Sequence, residues 1–190
     1  MSYIEMVPES EATGELAELY RRYGNGDGTV DNVLKVHSLN PASLEAHCAL
    51  YTQAMHRPSP VSRAEREMVG VAVSRANGCG YCLEHHASGL ARLLPEDRKA
   101  VAERLKAGDD RDLNERERAM VKYALRLTRD PASVSEGDIE ALRQAGLSDR
   151  EILDVCQAAA YFAYANRIVL GLGATLGQGE GGAGHWPAGA

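Results

Sequence analysis

Apolar residues recur along this chain at intervals of three and four, the spacing of a helix face. In residues 11–23 (EATGELAELYRRY), Leu16, Leu19 and Tyr20 share one face. The turn formers Gly24-Asn25-Gly26-Asp27-Gly28 break that helix. Val30, Val33 and Leu34 then mark a short one. Asn40-Pro41 opens a helix over 41–55 with the stripe Leu44, Cys48, Tyr51 and Met55. Cys48 in that stripe reads as a small core residue. Ser62-x-x-Glu65 is a capping box, so a helix starts near residue 63 and stops at Asn77-Gly78. Another runs from about Cys79 to Leu93, and Pro95-Glu96-Asp97 starts the next, with Val101 and Leu105 inward. Asn114, Ser135 and Ser148, with Glu117, Asp138 and Glu151 three residues on, cap three more. The last, Asp149 to about Leu172, is apolar almost all round, as helices are when buried centrally or at a subunit interface. No run alternates as a strand does. The pattern predicts an all-α fold. It is a single-domain helical bundle of about eight or nine helices over residues 1–176, followed by a glycine-rich tail, 177–190, with Trp186 as its one candidate anchor.

Length and charge narrow the function. A chain of 190 residues suits one compact domain, and 44% apolar residues suffice for a core. A net charge of −6 argues against nucleic acid and gives no support for an anionic membrane surface. The N-terminus has neither a basic n-region nor an apolar h-region. Asp154, Asn166 and Arg167 interrupt the most apolar segment, 152–176, which is therefore no spanning helix. These features predict a cytoplasmic protein. In a reducing compartment a close cysteine pair is catalytic or metal-binding rather than part of a disulfide framework. The loop Gly24–Gly28 lacks the alternating acidic ligands of a calcium site.

The chemistry concentrates in Glu67–His86, EMVGVAVSRANGCGYCLEHH. Cys79 and Cys82 are three apart, about 60° around a helix axis, close enough to consider a disulfide. Both fall at the start of a helix, where the dipole and free N–H groups favour a thiolate. His86 lies four residues after Cys82 and shares its face, so it can take the thiol proton or stabilise the anion. Glu67 flanks the core face of the preceding helix, between Ala64 and Val71, and a carboxylate facing inward needs a partner. The turn at Asn77-Gly78 folds the two helices together, within reach of His86 or of a water beside Cys82. Blander readings exist. The cysteines could be core residues or half a zinc site, although zinc takes four ligands and no second Cys-x-x-Cys is present. Glu67 could be a solvated helix residue. His85 points about 100° from His86, and His37, His47 and His85 read as surface or core histidines. A faint repeat is also present: Glu65-Arg66-x-Met68-Val69 recurs as Glu117-Arg118-x-Met120-Val121, with Ala119 in the place of Glu67.

Glu67, eleven residues, then Cys79-x-x-Cys82-x-x-x-His86 resembles the motif of alkylhydroperoxidase D and its carboxymuconolactone decarboxylase-like relatives, in the branch of peroxidase-related proteins. The resemblance runs from about residue 5 to about 176 and includes NVLKVHSLNP, SRAERE, LTRDP and YANRI. It implies an all-α homo-oligomer that reduces hydroperoxides with no cofactor. By the same resemblance Cys82 is the peroxidatic cysteine, Cys79 the resolving one, and Glu67 and His86 relay protons. Electrons would come from an external dithiol, a lipoyl group or a thioredoxin-like protein. The decarboxylases of the wider family lack the cysteine pair. One position departs from the motif. Where alkylhydroperoxidase D has a second histidine, this chain has Tyr81, whose phenol, with a pKa near ~10, is a poorer relay at neutral pH. The competing functions are a zinc-binding structural protein and a family member that binds a small molecule without turnover.

Overall fold

The computed structural model describes residues 2–177; the tail residues 178–190, with Trp186, lie outside them. Among the described residues there are nine α-helices and no strand. They are α1 (Gly14–Tyr23), α2 (Asn32–Lys35), α3 (Pro41–Tyr51), α4 (Arg63–Ala76), α5 (Gly80–Leu93), α6 (Ala100–Ala107), α7 (Glu115–Arg129), α8 (Glu136–Gln144) and α9 (Asp149–Leu172). The caps work as the sequence predicts. Ser62 and Glu65, Asn114 and Glu117, and Ser148 and Glu151 each exchange side-chain and backbone bonds, satisfying donors that a helix start leaves open.

Three boundaries differ from the pattern. Glu9–Glu11 form a separate 3-10 turn, so α1 begins at Gly14. Another such turn, Glu96–Arg98, precedes α6. The expected helix 41–55 is α-helical only to Tyr51 and continues as a π-helical turn, Thr52–His56. The carbonyls of Ala54 and Arg57 accept hydrogen bonds from Nη1 of buried Arg66, at 3.3 and 3.1 Å. That partner lets the chain leave the α-helical pattern without orphaning those groups.

Helix α4 is the hub. Its residues from Arg66 to Ser74 are all buried, and it packs on α5, α6, α7 and α9. One side carries Val69 and Val73 into a core with Met120, Val155 and Phe162. The other carries Met68, Val71 and Ala72 into a core with Leu90, Val101 and Leu105. Each such valine, leucine, methionine or phenylalanine side chain, fully buried, stabilises the fold by about 1.5–3 kcal/mol. Gly70 permits the closest approach, since a Cβ there would lie 2.3 Å from Cζ of Phe162 on α9. The all-round apolar pattern of α9 is met mostly inside the fold. Ile152, Val155, Ala158, Ala159, Phe162 and Ala165 are buried, while Leu153, Tyr164 and Leu170 remain exposed. Among the described residues no helix is long and apolar enough to cross a membrane.

Candidate active site

A tight reversal presents the cysteines. Gly78 has φ +69°, a conformation that glycine adopts freely. The Cys79 N–H reaches back to the Ser74 carbonyl at 2.9 Å, closing α4 with a Schellman-type bond. Cys79 then serves as the N-cap residue of α5, one turn before Cys82. Both thiols are free, and their sulfurs lie 2.9 Å apart. Cys79 is wholly enclosed. Cys82 lines a cavity of ≈ 50 Å³ together with His47, Tyr51, His85, His86 and Tyr161.

Behind this cavity stands a buried histidine–carboxylate pair. Nδ1 of His86 lies 2.7 Å from Oε2 of Glu67, across the α4–α5 hairpin. Burial alone would raise the Glu67 carboxyl. The electrostatic interaction and hydrogen bond with His86, joined by Arg63, outweigh it and hold the group below the usual carboxylate range. An ionised carboxylate only accepts, so Nδ1 of His86 carries the proton and Nε2 is the ring's basic nitrogen. Phe162 meets the His86 ring edge-on, with centroids 4.5 Å apart, and fixes its plane. Arg63 lies 3.5 Å from Oε1 of Glu67 and 2.9 Å from Nδ1 of His56. Glu67, Arg63, His56, His85, His86 and Arg92 line a second cavity, of ≈ 100 Å³, beside this pair.

The two thiols are electrostatically unequal. The hydrogen bond with Cys79, followed by burial, pushes the Cys82 thiol up, while the same bond holds Cys79 below the ordinary thiol range. Against this, the nearby amide of Asn166 on α9 acts in the opposite direction, drawing the Cys82 thiol down. Access thus favours Cys82 and local charge favours Cys79.

All five residues singled out in the sequence—Glu67, Cys79, Tyr81, Cys82 and His86—converge on this region. Tyr81 is buried, and its hydroxyl accepts the Val33 N–H from α2 at 3.3 Å. The expectation that His85 faces elsewhere is overturned. His85 lines both cavities, and its ring lies 5.2 Å from that of His86. The spacing contained the signal. Measured from Cys82, His85 is three residues on and His86 four, so they flank the sulfur's line on either side. Burial and the neighbouring His86 depress the pKa of His85 to about 4, which keeps it neutral. His47, expected among surface or core histidines, is buried and reaches the Cys82 cavity. His56, Arg63, Tyr51, Tyr161 and Asn166 were not legible as site residues. Each arrives from another element, with no local motif around it. Among the described residues no group of three or more His, Cys, Asp or Glu is arranged to hold a metal ion.

A helical hub that presents a close thiol pair to a histidine–carboxylate dyad defines a class of thiol-bearing α-helical proteins. The family model for the carboxymuconolactone decarboxylase family matches residues 41–102. No curated protein matches the chain. Among solved structures, a peroxidase-related protein from Silicibacter sp. TM1040 is 30% identical, with 95% of this chain and 92% of that one covered and a TM-score of 0.80. A peroxidase-related protein from Ralstonia eutropha JMP134, described as an alkylhydroperoxidase AhpD core, is 27% identical, covers 98% and 97%, and has a TM-score of 0.85. The debrominase Bmp8, at 19% identity, with 90% of each chain covered and a TM-score of 0.73, shares the fold. The chain belongs to the alkylhydroperoxidase D-like, carboxymuconolactone decarboxylase-like family, in the company of its peroxidase-related proteins.

Proposed function

We propose that the protein is a thiol-dependent peroxidase that reduces hydrogen peroxide or organic hydroperoxides through Cys79 and Cys82. One observation carries this reading: two free thiols 2.9 Å apart, one of them on a cavity shared with a histidine that a buried carboxylate orients. Cys82 attacks, because a sulfur reacts only where the peroxide can touch it. Its proton passes to Nε2 of His86. The thiolate takes the terminal oxygen of ROOH, the S–O bond forms as the O–O bond breaks, and the leaving alkoxide collects the proton from His86 to depart as ROH. Cys82 is then a sulfenic acid. The Cys79 sulfur displaces its hydroxyl, closing the disulfide, and the Cys79 proton leaves with the hydroxyl as water. An external dithiol, a lipoyl group or a thioredoxin-like protein, restores both thiols by exchange. Free catalytic thiols fit a reducing compartment such as the cytoplasm. The exposed Leu153, Tyr164 and Leu170 of α9 fit a homo-oligomer, which light scattering tests.

The direct test is hydroperoxide consumption with a panel of dithiol reductants. Wild type should turn over with at least one of them. Cys82→Ser should lose reaction with peroxide, and Cys79→Ser should stop at the sulfenic acid. Loss of the first oxidation in Cys79→Ser alone would reverse the two roles. No consumption with any dithiol would remove the peroxidase reading.

A further inference from the structure

We infer that Tyr161, positioned by His47, donates a hydrogen bond to the oxygen that departs when Cys82 attacks a hydroperoxide. The inference rests on the peroxidase reading. Tyr161 and His47 are both buried, and both line the Cys82 cavity. They arrive on α9 and α3, whereas Cys82 and His86 share α5. The Tyr161 hydroxyl lies 3.3 Å from Nε2 of His47. A neutral imidazole carries one N–H and a phenol one O–H, so the pair holds two donor hydrogens. Their mutual bond uses one. If the imidazole hydrogen sat on Nδ1 of His47, it would be a buried donor with no acceptor, because that nitrogen has no partner among the described residues. With the hydrogen on Nε2, His47 donates to the Tyr161 oxygen, and the Tyr161 O–H is left for whatever occupies the cavity.

The attack on the peroxide needs such a donor. As the S–O bond forms and the O–O bond breaks, both electrons of the O–O bond go to the departing oxygen. That oxygen then carries three lone pairs. One takes the proton that His86 removed from Cys82, and another accepts the Tyr161 hydrogen bond. Tyr161 keeps its own proton and stabilises charge only while the charge develops. Both members of the pair are suited to a neutral role. Burial, with His37 beside it, depresses the pKa of His47 to about 3, and burial pushes the Tyr161 phenol well above its ordinary range. The hydroxyl is also held in place. Tyr51 and Phe162 flank the Tyr161 ring, with centroids at 5.1 and 5.3 Å, and His47 meets it edge-on at 5.8 Å. A donor fixed in this way needs no reorganisation during the reaction.

The test compares three reactions of Cys82, each followed by peptide mapping of quenched samples: with hydrogen peroxide, with peracetic acid and with iodoacetamide. Hydroxide is a poor leaving group, whereas acetate and iodide depart without a donor. Tyr161→Phe should slow the hydrogen peroxide reaction at least about tenfold and the other two by no more than about twofold. His47→Leu should slow hydrogen peroxide selectively in the same way. His47→Gln, whose amide can still donate to the Tyr161 oxygen, should recover most of the lost rate. Equal slowing of all three reactions in Tyr161→Phe, or none with hydrogen peroxide, would overturn the inference. If Tyr161→Phe does not fold, equal hydrogen peroxide rates in His47→Leu and His47→Gln would overturn it instead. A wild type that iodoacetamide alkylates but no hydroperoxide oxidises would reject the proposed function, and this inference with it.

Discussion

Helices α4 and α7 begin alike and end in different roles. Each opens with a capping box, Ser62–Glu65 and Asn114–Glu117, and each then places an arginine, a methionine and a valine at matching positions. Met68, Val69, Met120 and Val121 are all buried. Both arginines reach back to backbone carbonyls just before their helix: Arg66 to Ala54 and Arg57, Arg118 to Asp110, Arg111 and Leu113. Surroundings separate them. Helix α4 lies at the centre, with Arg66 buried, whereas Arg118 on α7 is exposed. Gly70 meets Phe162, whereas its counterpart Lys122 faces solvent. Glu67 pairs with His86, whereas its counterpart Ala119 packs against the core. One helix-start design therefore serves scaffold and site, and the site arises where that design is buried on every side and followed by the cysteine turn.

The largest expected contrast is between the two arginines. Arg66→Ala should cost about 2–3 kcal/mol, because it strands buried carbonyls and removes charged donors. Arg118→Ala should cost about 0.5–1 kcal/mol, since water can replace it. Urea denaturation gives both values, and equal losses would break the contrast between the helices. Gly70→Ala comes next, at about 1–3 kcal/mol, from forcing Phe162 off α4. Because Phe162 supports the His86 ring, peroxide reactivity should fall with it, and unchanged reactivity would separate the ring from the site. Glu67→Gln should preserve the fold and lower peroxide reactivity at least about tenfold, measured by stopped flow. A rate equal to wild type would leave Glu67 as scaffold, like Ala119.

A further contrast lies in acid. The imidazoles of His47, His56 and His85 line the cavities on the α4–α5 side, and burial depresses their pKa values to about 3, about 4 and about 4. Unfolded histidine binds its proton near pH ~6.5, so below that pH the unfolded chain holds more protons than the folded one. Stability should therefore be full above that pH and fall as pH drops toward about 4, by at most about 1.4 kcal/mol per pH unit for each histidine. Glu67, held below its usual range, adds a loss in the same direction once pH falls below the ordinary carboxylate value. Hydrogen exchange at pH 5 should loosen α5 before α7, and uniform loosening would contradict this placement of the imidazoles.

How much of this was legible follows from how local each signal is. Helix starts are written in four-residue cap patterns, and the structure has them at Ser62, Asn114 and Ser148. Cys79, Cys82 and His86 lie on one helix start, so spacing alone brought them together. Glu67 needed only the next-door helix and a turn. The π turn at Thr52–His56 depends on Arg66, ten residues after His56, and no periodicity records it. Asn166 lies 84 positions beyond Cys82, and in the sequence it only interrupts an apolar run. Its bonds to Ser74 and Asn77 follow from how α9 packs on α4, which is a tertiary fact. His85 is legible in its spacing from Cys82, three residues earlier, and not in its spacing from His86.

The central claim is that Cys79 and Cys82, alone among the four cysteines, form the peroxide-reactive pair. Cys48 is enclosed in the core beside Leu44, and burial pushes its thiol up to about 12, while Cys156 lies partly buried on α9. The most direct measurement is a peptide mass map after brief treatment with one equivalent of peroxide, before and after adding a dithiol. The account predicts the loss of two titratable thiols, a single Cys79–Cys82 disulfide, free Cys48 and Cys156, and full recovery with the dithiol. A disulfide containing Cys48 or Cys156, or four thiols left untouched, would contradict it.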